Sequence, residues 1–276
     1  MAALYNEIDP YAAQWLRNLI KAGLIPDGEV NTSSIVDLRP SDLAGFQQVH
    51  LFAGIAGWSQ ALRLAGWPSD RPVWTASCPC QPFSEAGKGL GKDDPRHLWP
   101  QAHRLIRDCR PPVVLGEQVA RKAGRGWFDG VRSDLEGDDY SVGAVDLTAL
   151  AVNAPHVRQR LYWNAIDRLA DPHEGGWRWW THDGGRQRDW QTSERIEGYG
   201  YPAGRDQDRF WDYFIWAGGA DGKSRRIQPS IPLMVNGLPR GMANVRPDQL
   251  RCIGNAIVPP LAAEVVKALM ETLDVR

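Results

Sequence analysis

Cysteine is scarce in this chain of 276 residues, which contains only Cys78, Cys80, Cys109 and Cys252. Four scattered cysteines are too few for a disulfide framework, and such low usage is typical of a reducing compartment. The chain also lacks an apolar run near the roughly 18 residues that a membrane span needs. Its first residues, MAALYNEIDPYAAQW, lack the basic start and apolar stretch of a signal peptide. We therefore expect a cytoplasmic protein with no membrane partner.

An excess of charge of either sign is also missing, since 32 Lys and Arg face 33 Asp and Glu. The net charge of −1 excludes binding to nucleic acid through a basic field over the whole surface, so any such binding needs a local patch. The length and the 43% of hydrophobic residues suit one large α/β core, or such a core with a small lobe.

Short apolar runs alternate with helix-like stretches along most of the chain. This alternation predicts an α/β fold with a doubly wound, mostly parallel sheet, formed by residues 1–166 together with 243–276. Residues 167–242 are rich in Gly, Trp, Arg and Asp with little periodicity, which predicts a separate, loop-rich lobe. The strand-like runs are VHLFAG, PVWTAS, PPVVLGE, SVGAVDL and RLYWNAI, and VPPLAAEVVKALMETL is typical of a C-terminal helix.

Several short motifs are ambiguous when each is taken alone. The glycine turn in HLFAGIAGWSQAL suits a cofactor, but a tight strand-to-helix turn needs glycine anyway. Glu117 follows a strand-like run and is equally typical of a helix cap or a surface acid. Arg158 and Arg160 are two residues apart and so share one face of a strand, which also describes an exposed edge.

The stretch SCPCQPFSEAG holds two cysteines that differ in their surroundings. Zinc binding is disfavoured because no histidine lies nearby and the other cysteines are distant. Cys78 fits a buried, inert thiol. Cys80 lies between Pro79 and the Gln81-Pro82 pair, in a stiff loop just after a strand, where α/β proteins place catalytic groups.

Together and in this order, LFAGIAGW, PCQPFSEAGKGLG, GEQV, PHVRQRLYW and GNAIVPPLA resemble the motifs of the C5 cytosine DNA methyltransferases. The resemblance covers most of residues 1–165 and 250–276. It implies a Rossmann-like methyltransferase sheet, and it puts residues 167–242 where the family carries its target recognition domain. It also implies S-adenosylmethionine as methyl donor, double-stranded DNA as partner, no metal, and a monomer.

The resemblance assigns catalytic roles residue by residue. Cys80 matches the thiolate that adds to cytosine C6, and Glu117 matches the acid that hydrogen bonds to ring N3. Arg158 and Arg160 match the pair that orients the base and steadies the charged intermediate. Because C6 cannot be reached inside a stacked duplex, the family flips the base out. The implied substrate contacts are Pro79, Gln81, Ser84, Gln118, Arg186 and Arg188.

The cofactor motifs are in an unusual order. No glutamate that suits the ribose hydroxyls lies between Trp58 and Cys80, whereas YNEIDPY near the N-terminus resembles the missing motif and makes Glu7 that ligand. The strand ALYNEID should therefore lie beside VHLFAG, with Glu7 near the Gly54 turn. Since parallel crossovers are right-handed, the helix WSQALRLAG should then leave its family position for the other face of the sheet. The implied cofactor contacts are Glu7, Ile8, Ile35, Asp37, Phe52, Ala53, Gly54, Gly57, Trp58, Pro79, Asn255 and Ala256.

Some residues depart from the family pattern. Gln118 replaces the usual Asn and His156 a common Gln, and both keep hydrogen-bonding capacity, so we expect activity to survive. In the lobe, 11 basic residues balance 11 acidic ones. Its tryptophans fit a small core better than contacts to an unstacked base. The polar residues His173, Glu174, His182 and Asp183 fit a loop better than a metal site.

Two other functions stay open at this point. The same chemistry serves RNA methylation in a minority branch of the family. A non-catalytic DNA-binding relative is also conceivable, although the presence of Cys80, Glu117 and both arginines argues against it.

Overall fold

The computed structural model describes residues 3–79, 98–120, 122–154, 158–169, 215–218, 224–227, 252 and 254–274. Within these ranges, the side chains of 122–123, 215–218, 224–227 and 274 are not described. Several residues singled out in the sequence lie outside the described residues: Cys80, Gln81, Ser84, His156, His173, Glu174, His182, Asp183, Arg186 and Arg188.

Seven strands form one sheet in the order β2-β1-β3-β4-β5-β7-β6. The first five strands of this order run parallel, and β7 is antiparallel to both β5 and β6. The strands are β1 (Ala3–Asn6), β2 (Gly28–Asn31), β3 (Gln48–Leu51), β4 (Val73–Ala76), β5 (Val113–Val119), β6 (Tyr140–Thr148) and β7 (Gln159–Asp167). The helices are α1 (Pro10–Lys21), α2 (Gly57–Ala65), α3 (Trp99–Cys109), α4 (Lys122–Gly137) and α5 (Pro259–Asp274).

This arrangement confirms the predicted α/β fold and the five strands expected from the apolar runs. The N-terminal strand also lies where the permuted motif order requires, since β1 pairs with β3 from Ala3↔Gln48 to Asn6↔Leu51. Its other edge pairs with β2, so the two strands that come first in the chain form one end of the parallel sheet.

Helices cover both faces of the sheet. On one face, α3 and α4 pack on the side chains of Trp74, Val114 and Trp163. On the other face, α2 and α5 pack together over Val73 and Leu115. Helix α1 belongs to this second face, because its Leu16 packs with Tyr5 of β1 and with Ala56 at the start of α2.

The position of α2 corrects one prediction. The path β3–α2–β4 runs along the sheet in the same direction as β4–α3–β5, yet α2 and α3 lie on opposite faces. These two crossovers therefore have opposite hands. The path β1–α1–β2 runs along the sheet in the opposite direction to β4–α3–β5, and its helix lies on the opposite face. Because these two reversals cancel, the two crossovers have the same hand. Since right-handed crossovers are nearly universal, α2 makes the exceptional left-handed one, and the prediction that it would change faces is wrong.

Packing explains why α2 stays on this face. Its buried residues Trp58, Ala61 and Leu62 form one core with α5, and its Ser59 hydroxyl lies 3.3 Å from the Tyr5 hydroxyl of β1. The opposite face offers α2 neither partner. Burial of this apolar surface outweighs the usual preference of the crossover for one hand.

Between residues 170 and 242, the structure describes one antiparallel pair, β8 (Ile215–Gly218) with β9 (Ser224–Ile227). This hairpin was not among the predicted elements, although the glycine-rich stretch GADG between the strands is a turn signal. Among the described helices, none is both long and apolar enough to cross a membrane.

Candidate functional site

The candidate site lies at one edge of the sheet. The parallel strands β1, β3, β4 and β5 all end there, and the antiparallel strand β7 begins there. In doubly wound folds this edge holds the ligand crevice. It brings together Glu7, the turn at 52–56, the segment 77–79, Glu117, and the two arginines at the start of β7.

The turn between β3 and α2 has a strained backbone. Phe52, Gly54 and Ala56 have φ angles of 55°, 56° and 70°, a left-handed conformation that glycine adopts freely and the other two do not. Glu7 stabilises this turn, because its Oε2 accepts a hydrogen bond from the Gly54 N–H at 2.7 Å. Its Oε1 accepts one from the Asp9 N–H at 2.8 Å, just before α1 begins. Strain held by such a contact is typical of a ligand-binding turn.

The segment before α5 packs closely against this turn. A Cβ atom added at Gly57 would lie 2.7 Å from Cγ1 of Ile257, so the approach requires glycine at this position. Ile257 and Trp58 are both buried in the core that α2 and α5 share. The structure therefore joins the two parts of the predicted cofactor pocket, Gly54–Trp58 and Asn255–Ala256, although about two hundred residues of chain separate them.

Exposed apolar side chains border the same edge. Ile8 is 64% exposed and Val36 is 55% exposed. Ile35, which the sequence analysis placed near the adenine, is instead buried in the core beneath α3 and α4. Asp37 is exposed beside it. Ile8 and Val36 are thus the apolar groups available to a flat ring at this end of the crevice.

Ser77 connects three elements of the site, and the sequence analysis missed it. Its Oγ accepts hydrogen bonds from Trp58 Nε1 at 2.8 Å and from the Glu117 N–H at 3.0 Å. It thereby joins α2 and β5 to the segment that continues through Pro79 to Cys80. A hydroxyl directly after a buried strand was the only signal for this role.

Glu117 and Arg160 form a largely buried ion pair. Arg160 Nε lies 3.0 Å from Glu117 Oε1, and the two side chains are 21% and 10% exposed. Burial raises the pKa of the Glu117 carboxyl, while the charges of Arg160 and Arg158 act in the opposite direction. A carboxyl with a raised pKa can remain protonated at higher pH and donate a hydrogen bond.

Arg158 contacts a different partner. Its Nη1 donates to the Gly254 carbonyl at 3.0 Å and its Nη2 to the Ala256 carbonyl at 2.8 Å. Arg160 lies in β7 near Tyr162, which pairs with Glu117, whereas Arg158 directly precedes the strand. The two arginines reach different walls of the crevice.

Gln118 points away from this cluster. It neighbours Glu117 on β5, and successive side chains of a strand point to opposite faces. The Gln118 side chain is buried, and its Nε2 has no hydrogen-bond partner among the residues that the structure describes. Pro79, the last described residue before Cys80, is half-buried.

In the described part of the chain, no three His, Cys, Asp or Glu side chains are grouped so that they could hold a metal ion. The site instead consists of a buried acid, two arginines and a glycine turn. It is the candidate ligand crevice of a doubly wound α/β protein with a mostly parallel sheet.

Comparison with known proteins finds a partial match to one family. Residues 68–194 match the model of the C-5 cytosine-specific DNA methylases. Over these residues the chain resembles this family, in agreement with the sequence motifs. The matched residues include Glu117, Arg158 and Arg160, and they also include Cys80.

Two named relatives are type II methyltransferases. M.HhaI of Haemophilus parahaemolyticus is 26% identical over 167 residues, which cover 46% of this chain and 51% of the relative. M.NgoMIV of Neisseria gonorrhoeae is 54% identical over 97 residues, which cover 28% of this chain and 30% of the relative. The chain thus spans about half or less of the length of these relatives. Among solved structures, S. pombe Dnmt2 methyltransferase aligns over 99% of both chains with 16% identity and a TM-score of 0.42.

Proposed function

We propose that this protein transfers a methyl group from S-adenosylmethionine to C5 of cytosine in DNA through a covalent adduct with Cys80. The main support for this proposal is the buried Glu117–Arg160 pair, in which the pKa of the Glu117 carboxyl is raised. The Glu117 N–H donates a hydrogen bond to Ser77, and Ser77 begins the segment that leads to Cys80. The match of residues 68–194 to the C-5 cytosine-specific DNA methylases supports the same reaction.

The Cys80 thiolate adds to C6, which breaks the C5–C6 double bond and moves electron density towards C5 and N3. Glu117 hydrogen bonds to N3 as that density builds, and Arg160 compensates the charge. C5 would then take the methyl group from the sulfonium of a donor bound at the Gly54 turn, and the demethylated donor would leave as a neutral thioether. A base removes the C5 proton, the double bond re-forms, and Cys80 leaves as a thiolate.

The residues around the glycine turn fit the donor. A Cβ atom built at Gly54 would have no heavy atom within 4 Å, so the turn leaves open space in front of its backbone. Glu7 offers a carboxylate to ribose hydroxyls, and Ile8 and Val36 offer apolar contacts to the adenine. We infer that Asn255 and Ala256 close the pocket from the α5 side. The donor supplies the electrophilic methyl group.

We further propose that residues 167–242 recognise double-stranded DNA and that the protein acts as a cytoplasmic monomer without a metal. The change of composition at the end of β7 and the position of this lobe between the arginines and α5 support a recognition role. Base flipping, which costs a few kcal/mol, would bring the cytosine to Cys80.

Methyl transfer from labelled S-adenosylmethionine tests the proposal. Duplex DNA should be labelled by the wild-type chain and not by a folded Cys80→Ala variant. A duplex that carries 5-fluorocytosine should form an adduct that resists denaturation, because fluorine cannot leave C5 as a proton does. Labelling of RNA in place of DNA would contradict the proposed substrate, and labelling by Cys80→Ala would contradict the covalent mechanism.

A further inference from the structure

We propose that Arg158 is a positioning residue, whose task is to hold the Gly254–Ala256 segment against the start of β7. The two arginines of the motif then have different roles. Arg160 contacts Glu117 and the cytosine, whereas Arg158 holds a segment of the cofactor pocket. This inference rests on the proposed function, and it replaces the expectation that both arginines orient the base.

The contacts of Arg158 carry the inference. The two terminal nitrogens of its guanidinium donate to the carbonyls on either side of Asn255, at 3.0 and 2.8 Å, across 96 and 98 residues of sequence. A guanidinium presents its N–H groups in a rigid planar fork, which suits two carbonyls that point the same way. An ammonium group cannot donate along both directions with the same geometry.

The held segment continues directly into the cofactor wall. Ile257 follows Ala256 and packs against Gly57, and both Ile257 and Val258 are buried with Trp58. Loss of the two hydrogen bonds would therefore free Asn255 while Ile257 stays buried. Conversely, a ligand that fixes Asn255 also fixes Arg158, which is two residues from Arg160. Binding of the cofactor should thus affect the position of the arginines beside Glu117. The effect is reciprocal, so a change at these arginines should alter the affinity for the cofactor.

The arginine pair supplies a matched test. Arg158→Lys should weaken binding of S-adenosylmethionine, measured by calorimetry without DNA, by about tenfold, the scale of a lost hydrogen bond to a charged group. Arg160→Lys should leave this affinity within about twofold. In steady-state kinetics, Arg158→Lys should raise KM for the donor more than it lowers kcat, and Arg160→Lys should show the reverse.

Amide hydrogen exchange of the cofactor-free protein gives a readout that does not depend on activity. Exchange of the amides of residues 254–257, which lie in or next to the held segment, should accelerate in Arg158→Lys and not in Arg160→Lys. Arg158→Gln, which keeps a single NH₂ group and no charge, should behave like Arg158→Lys and serves in its place if the lysine variant does not fold.

Equal donor affinity and equal exchange in wild type and Arg158→Lys would overturn the inference. The same KM and kcat pattern in both lysine variants would overturn it as well. A wild-type chain that binds no S-adenosylmethionine would contradict the proposed function instead, and the exchange data would still decide whether Arg158 holds the segment.

Discussion

Replacing Glu7 by Gln perturbs the contact that joins the permuted N-terminal strand to the glycine turn. Glu7 is half-buried and accepts two backbone hydrogen bonds, one on each oxygen, from Gly54 at 2.7 Å and from Asp9 at 2.8 Å. A glutamine retains one oxygen, so its NH₂ group must face a backbone N–H. One of the two contacts is lost whichever way the amide turns.

The expected magnitude follows from these contacts. A hydrogen bond to a charged acceptor contributes about 1.5 to 3 kcal/mol. Because Glu7 is partly exposed to water, we expect its contribution to be about 1 to 3 kcal/mol. If Glu7 also binds the ribose, the affinity for S-adenosylmethionine should fall by about 5- to 150-fold, at 1.4 kcal/mol for each factor of ten.

Isothermal titration of purified protein with the donor measures this loss. Glu29→Gln is the matched control, because Glu29 is an exposed carboxylate on the neighbouring strand β2. Glu7→Asp keeps the charge but shortens the reach to Gly54, and it should also bind more weakly than wild type. Wild-type affinity in a folded Glu7→Gln variant would refute the assignment of Glu7 to the cofactor pocket.

Three further predictions concern the rest of the site. Ser77→Ala should lower the free energy of unfolding in urea by about 1 to 3 kcal/mol, since it leaves the N–H groups of Trp58 and Glu117 unpaired, and an unchanged midpoint would contradict this. Wild type should lose stability relative to Glu117→Gln as the pH rises above about 4.3, because the unfolded carboxyl ionises before the folded one; a pH-independent difference would contradict the raised pKa. Replacing Arg186 and Arg188 by Gln should change DNA site preference or salt dependence; unchanged preference with slower single-turnover transfer would contradict a reading role.

Sequence periodicity was sufficient for most of the fold. The spacing of apolar residues within a strand or helix is a local property that does not depend on the segments between these elements. For this reason β3 to β7 and the C-terminal helix could be predicted. The place of β1 followed from the family resemblance, because no ribose glutamate lies between Trp58 and Cys80 and YNEIDPY resembles the missing motif. The pairing of β1 with β3 agrees with that argument.

The features that were missed depend on contacts between distant segments. The face that α2 occupies is decided by its packing on α5, almost two hundred residues later, and no local pattern records it. The roles of Ser77 and Arg158 likewise consist of hydrogen bonds to residues 19 to 98 positions away. Two arginines on one strand face look equivalent in a sequence, and only the position of their partners separates them.

We propose that this chain methylates cytosine C5 in DNA through a covalent adduct with Cys80. Bisulfite sequencing of DNA from cells that express the protein tests it most directly, because 5-methylcytosine resists the deamination that converts cytosine. The account predicts protected cytosines within one short sequence motif in cells with the wild-type chain and none in cells with folded Cys80→Ala. Full conversion in the presence of folded wild-type protein, or equal protection with Cys80→Ala, would contradict it.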